Sequence, residues 1–102
     1  MAAFVTVASV AEIPEGEVRA FDVEGHAVAV ANADGTFYAF DDTCTHRQCS
    51  LAEGELDGTT IMCACHGSEF DVSTGEVLNG PAVVPVDTYE VRVEGDAVQV
   101  QA

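Results

Sequence analysis

Apolar and polar residues alternate with a period of two in short runs along most of this chain, and glycine or aspartate separates the runs. Successive side chains of a β-strand point to opposite faces of a sheet, so this alternation predicts half-buried strands rather than helices. The clearest case is a C-terminal hairpin, with strands at residues 88–93 and 97–101 and a turn at residues 94–96. The same pattern predicts further strands at residues 4–7, 18–23, 26–31 and 36–40, and two shorter ones at residues 59–62 and 69–72.

These strands indicate an all-β fold, an antiparallel β-sandwich or small barrel, and 102 residues suffice for a single domain. The middle of the chain differs in character, because residues 41–80 contain all four cysteines, two of the three histidines and five of the nine glycines. We interpret it as an inserted, loop-rich subdomain of about residues 41–82, carried by a β base that residues 1–40 and 83–102 form.

The charge balance is strongly acidic, since 18 Asp and Glu residues against three arginines and no lysine give a net charge of −15. Nucleic-acid binding needs basic residues that displace counterions from phosphates, and anionic membranes repel such a chain. A protein partner with a basic docking face is favoured, with solubility alone as the alternative. No basic residue precedes Arg19, and the early uncharged run at residues 1–11 is too short to span a bilayer, so we expect a cytoplasmic location.

Cysteine and histidine form two short clusters in the middle of the chain. The first holds Cys44, His46 and Cys49, and the second holds Cys63, Cys65 and His66. Both residue types bind metals when deprotonated or neutral, so we expect the two loops to meet around one metal site. A structural zinc module is an alternative, although the ligand spacing is unlike that of common zinc fingers and six such residues exceed what zinc needs.

The pattern C-x-H-x16-C-x2-H, formed by Cys44, His46, Cys63 and His66, resembles the Rieske [2Fe-2S] domain. The runs Cys65-His66-Gly67-Ser68 and Gly80-Pro81-Ala82 extend the resemblance over roughly residues 4–100. The resemblance implies the Rieske fold and one [2Fe-2S] cluster. Cys44 and Cys63 would bind one iron as thiolates, and His46 and His66 would bind the other through ring nitrogens. Histidine ligation raises the reduction potential above that of an all-cysteine cluster.

The remaining cysteines, Cys49 and Cys65, stand where the Rieske proteins of respiratory cytochrome bc complexes form a disulfide between the cluster loops. The resemblance therefore implies a Cys49–Cys65 disulfide. Two free thiols are the alternative, because a reducing cytoplasm disfavours disulfides.

The resemblance also assigns residues around the cluster. Ser68 stands where a hydroxyl donates to a cluster sulfur in high-potential members, or it only caps a turn. Phe70 replaces the tyrosine of those members, so we expect a potential between the two classes. Gly80 and Pro81 would form a third loop that covers the cluster, with an ordinary turn as the alternative.

Residues outside the motif have simpler interpretations. We expect His26 to be a partly exposed sheet residue rather than a ligand, and the aromatic residues within 37–40 to lie in the core or on a sheet face. Asp41 and Asp42 precede the first cluster, and we expect a solvated turn there, with a docking feature as the alternative.

A cluster bound by protein ligands on both irons has no open position for a substrate, so we expect electron transfer rather than catalysis. The resemblance implies a free-standing Rieske-type ferredoxin, because the chain is too short for a membrane anchor or for a second iron domain. Such a ferredoxin passes single electrons from a flavin-dependent reductase to a terminal oxygenase, here of an aromatic-ring-hydroxylating dioxygenase system, as a monomer in transient complexes. The alternative is a Rieske-like small subunit of a larger reductase such as nitrite reductase.

Overall fold

The computed structural model describes residues 4–45, 49–65 and 67–101. In these ranges the chain forms two antiparallel sheets and two short 3₁₀ turns, at Val10–Glu12 and Leu51–Glu53, which are far too short to cross a membrane. The strands are β1 (Val5–Ser9), β2 (Val18–Val23), β3 (His26–Ala33), β4 (Thr36–Asp41), β5 (Glu55–Asp57), β6 (Thr60–Met62), β7 (Glu69–Asp71), β8 (Val77–Asn79), β9 (Thr88–Glu94) and β10 (Ala97–Gln101).

The larger sheet has six strands in the order β1-β10-β9-β4-β3-β2, and its outer strands β1 and β2 approach each other, so the sheet is nearly a closed barrel. Two-residue turns join β2 to β3 and β3 to β4. Both residues of each turn have positive φ, 52° and 87° at Glu24-Gly25 and 54° and 91° at Asp34-Gly35. Such turns match the right-handed twist of the strands, which explains the tight hairpins at these positions.

Strand β3 is buried on both faces and separates two hydrophobic clusters. Val28 and Val30 point into the interior of the larger sheet, while Ala29 and Ala31 point to the opposite side. All four side chains have no exposed surface. The small alanine side chains let the second sheet approach β3 closely.

The smaller sheet has the order β5-β6-β7-β8 and packs against that alanine face. Its inward side chains form a continuous row across the four strands: Leu56, Ile61, Phe70 and Val77. Its outer face carries carboxylates on alternate positions: Glu55, Asp57, Glu69 and Asp71. The smaller sheet and the larger sheet therefore share one apolar core, which fixes the position of the loops that the smaller sheet carries.

The predicted all-β fold is confirmed. Predicted strands match β2 and the C-terminal hairpin closely, and His26 is exposed at the start of β3, as expected. Strands β5 and β8 escaped prediction. Strand β3 also continues to Ala33, two residues beyond its predicted end, because Asn32 is buried. Its amide nitrogen donates to the Ile13 carbonyl at 2.8 Å.

A small polar contact fixes the first 3₁₀ turn. The backbone N–H and the hydroxyl of Ser9 both donate to Glu12 Oε1, at 2.9 and 3.2 Å. These hydrogen bonds, the backbone one first, hold the pKa of Glu12 below its ordinary value because they favour the carboxylate.

Candidate metal centre

Two loops carry the cysteines, and each is closed by a backbone hydrogen bond at its base. In the first loop, which follows β4, Cys44 N donates to Cys49 O at 2.9 Å. In the second loop, between β6 and β7, Cys63 N donates to Ser68 O at 2.8 Å. A cysteine thus stands at the first position of each closed loop, held by the strand that precedes it.

A glycine lets the two loops come together. Gly54 follows the 3₁₀ turn after the first loop, and a Cβ atom at this position would overlap the carbonyl oxygen of Met62. Met62 is the last residue of β6 and directly precedes Cys63. The close backbone approach therefore positions the end of the first loop against the start of the second.

The four cysteines have two different chemical states. A disulfide joins Cys49 to Cys65 with a Cα–Cα distance of 6.5 Å, and this is the pair that the resemblance implies. Cys44 and Cys63 remain free thiols, and each is only 2% exposed. The disulfide connects the first loop, which carries the buried thiol of Cys44, to the second loop, which carries the buried thiol of Cys63.

The sulfurs of Cys49, Cys63 and Cys65 lie within 4.8 Å of one another. Two of these three sulfurs share the disulfide, so they cannot act as thiolate ligands while it is intact. The cysteines that remain available as ligands are therefore Cys44 and Cys63. Thiolates are the ligands that iron–sulfur clusters use, so this donor set fits the implied group. His46 and His66, the other predicted ligands, lie outside the described residues.

A third segment, residues 80–86, is hydrogen-bonded to both loops. Thr45 Oγ1 donates to the Val84 carbonyl at 2.5 Å, and the Ala82 N–H donates to Ser68 Oγ at 3.1 Å. The segment begins at Gly80-Pro81, whose peptide bond is cis. The segment lies beside both loops, and its covering of a cluster stays a prediction.

Ser68 and Phe70 lie beside this centre and are both fully buried. The Ser68 oxygen acts as an acceptor toward Ala82, so this contact does not use the hydroxyl hydrogen. Its predicted donation to a cluster sulfur stays a prediction. Phe70 packs in the core that the two sheets share.

The expectation of a solvated turn is wrong for Asp42, which is only 7% exposed. Its carboxylate accepts hydrogen bonds from the hydroxyl of Ser50 at 2.7 Å and from the backbone N–H of Ala52 at 2.9 Å. Asp41 is half-buried, and its Oδ1 accepts from the Thr43 N–H at 3.2 Å. The donors of Asp42 lie eight and ten residues away, and nothing local in the sequence indicates that spacing.

Known proteins with similar sequences and structures match this chain over most of its length. Residues 3–90 match the family described as the Rieske [2Fe-2S] domain. The ferredoxin component of the naphthalene 1,2-dioxygenase system of Pseudomonas aeruginosa is 40% identical over 89 residues, which cover 87% of this chain and 86% of that protein. The ferredoxin of carbazole 1,9a-dioxygenase from Nocardioides aromaticivorans IC177 superposes with a TM-score of 0.94 at 34% identity, covering 97% of each chain.

A second solved structure is described as a complex of reduced oxygenase and oxidized ferredoxin in carbazole 1,9a-dioxygenase. The matched chain superposes with a TM-score of 0.91 at 37% identity, covering 96% of this chain and 92% of that one. These matches confirm the prediction that the chain is an electron-transfer component rather than an enzyme. They also confirm the predicted [2Fe-2S] cofactor over the zinc alternative. The chain therefore belongs to the Rieske [2Fe-2S] domain family.

Proposed function

We propose that this chain carries single electrons from a flavin-dependent reductase to the terminal oxygenase of an aromatic-ring-hydroxylating dioxygenase system. The observation that carries this proposal is the pair of buried free thiols, Cys44 and Cys63, on two loops that a disulfide joins. The similarity to ferredoxin components of dioxygenase systems supports the choice of partners.

In the proposed centre, Cys44 and Cys63 bind one iron as thiolates, and His46 and His66 bind the other through imidazole nitrogens. The assignment of the histidines rests on the sequence motif. When bound, a cluster of this kind supplies a reversible one-electron acceptor. Ser68 and the segment that begins at Gly80-Pro81 surround it in the proposed arrangement.

The chain's own residues hold the loops in a fixed geometry and leave their outer side accessible. The Cys49–Cys65 disulfide and the Thr45 and Ser68 hydrogen bonds restrain the loops from several directions. Thr45, Ala64 and Cys65 are nevertheless exposed, so a partner can approach the loops from solvent. A rigid, accessible site suits a carrier that exchanges electrons in short-lived complexes.

The acidic surface supports the same proposal. A net charge of −15 attracts partners with basic docking faces and accelerates their encounter. The matched chain in the oxygenase–ferredoxin complex is similar to this chain over almost its full length, which favours an oxygenase as the electron acceptor. We also propose that a flavin-dependent reductase is the electron donor and that the chain is a monomer in the cytoplasm.

An EPR measurement tests the proposed ligand set. The dithionite-reduced protein is expected to give a spectrum with a lower average g value than an all-cysteine cluster. His46→Ala and His66→Ala should each abolish this spectrum, whereas His26→Ala, at an exposed position on β3, should retain it. Retention of the wild-type spectrum in both of the first two variants contradicts the assignment.

A reconstituted electron-transfer chain tests the partners. Reductase and oxygenase of the naphthalene dioxygenase system serve as probes, because the ferredoxin of such a system is 40% identical to this chain. Adding the cluster-loaded protein is expected to accelerate naphthalene-dependent NADH oxidation, and the cluster-free protein is the control. Equal rates with and without loaded protein count against these partners, and the EPR result decides separately whether the cluster is present.

A further inference from the structure

The buried carboxylate of Asp42 lies at the junction between the larger sheet and the first cysteine loop. Asp42 directly follows β4 and stands two residues before Cys44. Its backbone N–H donates to the Ala27 carbonyl of β3 at 2.9 Å, and its carbonyl accepts from the Leu51 N–H at 2.7 Å. The main chain of this one residue thus connects the sheet to the far end of the loop.

The side chain makes a second connection across the same loop. Asp42 Oδ2 accepts from the Ser50 hydroxyl at 2.7 Å, and Oδ1 accepts from the Ala52 N–H at 2.9 Å. Both partners follow Cys49, whereas Asp42 precedes Cys44. The carboxylate therefore clamps the two ends of the loop on which Cys44 lies.

The donors to Asp42 are neutral, so they satisfy its lone pairs without cancelling its charge. Within the described ranges, the salt bridges are Arg19–Glu17 and Arg92–Glu94, and neither includes Asp42. Both carboxylate oxygens accept from residues beyond Cys49, while the main chain of Asp42 is bonded to β3. The side chain is therefore fixed by the loop and by the sheet together, which points to a role in placing the loop.

We propose that Asp42 is a positioning residue of the redox centre, which holds the Cys44 loop in place and whose charge lowers the reduction potential. This inference rests on the proposed function. Reduction adds negative charge to the centre, and a buried carboxylate two residues from Cys44 in the chain opposes that addition. Asp42 thus affects the centre in two ways: it places the loop that carries Cys44, and its negative charge lies near that ligand in the chain.

The chain contains a matched control for the charge. Asp71 also accepts from a serine hydroxyl and a backbone N–H, both of Ser73 at 2.5 and 2.9 Å, but it lies on the outer face of β7. Asp42→Asn and Asp71→Asn change the net charge equally. Voltammetry of the cluster-loaded full chain is expected to show an upward shift of potential for Asp42→Asn that clearly exceeds the shift for Asp71→Asn.

A serine pair tests the positioning role without changing any charge. Ser50→Ala removes one side-chain bond to Asp42, and Ser73→Ala removes the equivalent bond to Asp71. We expect Ser50→Ala to change the g values of the EPR spectrum, because the Cys44 loop is less restrained, and Ser73→Ala to leave them at the wild-type values. A merely structural serine would lower stability without altering the spectrum of the loaded protein.

Equal potential shifts for Asp42→Asn and Asp71→Asn overturn the charge part of the inference. If Asp42→Asn cannot be loaded with a cluster, the serine pair decides, and identical spectra for Ser50→Ala and Ser73→Ala overturn the inference. A wild-type protein without a cluster would instead remove the proposed function itself, so the two failures are distinguishable.

Discussion

At the scale of single residues, four cysteines of one chain have two fates. Cys49 and Cys65 are covalently joined, while Cys44 and Cys63 are buried thiols in the hydrophobic cluster between the sheets. The disulfide lies nearer to solvent, with Cys65 exposed, whereas both free thiols are buried. The disulfide thus restrains the loops while the buried thiols remain available as ligands.

Removing the disulfide tests its contribution to stability. It closes a loop with a sequence separation of 16 residues, and the chain-entropy estimate for such a loop is about 3 kcal/mol. We expect the Cys49→Ser/Cys65→Ser double variant to lose about that much free energy of unfolding in a urea titration of the loaded protein. Wild-type protein treated with a thiol reductant is the control and should approach the variant. Equal stability of oxidised wild type and variant would contradict a stabilising role.

At the scale of elements, the strands that sequence analysis missed, β5 and β8, are the two edge strands of the smaller sheet. All four strands of this sheet have three residues, and the two predicted ones, β6 and β7, lie at its centre. The pairing of β5 and β8 to β6 and β7 completes a row of inward apolar residues that becomes visible only when the four strands lie side by side. The larger sheet's hairpins carry both longer alternation and tight turns, which explains why they could be predicted.

Tyr89, where β9 pairs with β4, leads us to predict that the protein loses stability at alkaline pH. Tyr89 on β9 is paired with Ala39, and burial, followed by the charges of Asp41 and Asp87, raises its pKa above the ordinary value of 10.0. The folded state therefore binds the phenol proton more tightly than the unfolded state. The free energy that Tyr89 contributes to folding is complete below pH 10.0, and it is lost as the pH rises through the pKa of Tyr89 in the folded state.

Urea unfolding below and above pH 10.0 measures this loss of stability. We expect Tyr89→Phe to reduce the loss of unfolding free energy above pH 10.0, relative to wild type. Asp87→Asn, which removes one of the raising charges at an exposed position, should reduce it to a smaller extent. An identical alkaline loss in Tyr89→Phe and wild type would show that other groups cause it.

At the scale of the whole molecule, the acidic charge acts on partners before they contact the protein. The net charge of −15 extends over a chain whose radius of gyration is 12.4 Å, so much of the surface carries the same sign. A field of this kind steers a basic partner over distances comparable with the Debye length, which is about 10 Å at 0.1 M salt.

Ionic strength tests this steering. We expect the second-order rate of electron transfer from the reduced protein to the naphthalene dioxygenase oxygenase to fall steeply as salt rises, because screening weakens a charge-assisted encounter. A series with a neutral osmolyte of matched viscosity is the control and should show only the viscosity effect. A rate that does not depend on salt would mean that the acidic surface serves solubility alone.

The sequence by itself determined the features that depend on neighbouring residues. Alternation predicted β2 and the C-terminal hairpin, and the motif around Cys44 and Cys63 indicated the family, because both signals lie in short continuous stretches. The net charge needs no structure at all.

Only the tertiary structure decided which distant groups meet. Burial of Asp42 depends on Ser50 and Ala52, and the shared core depends on Ala29 and Ala31 facing a sheet that is formed later in the chain. The physical reason is that burial and hydrogen bonding depend on the partner's position in space. A carboxylate before a loop therefore reads as solvated until the fold brings its donors to it.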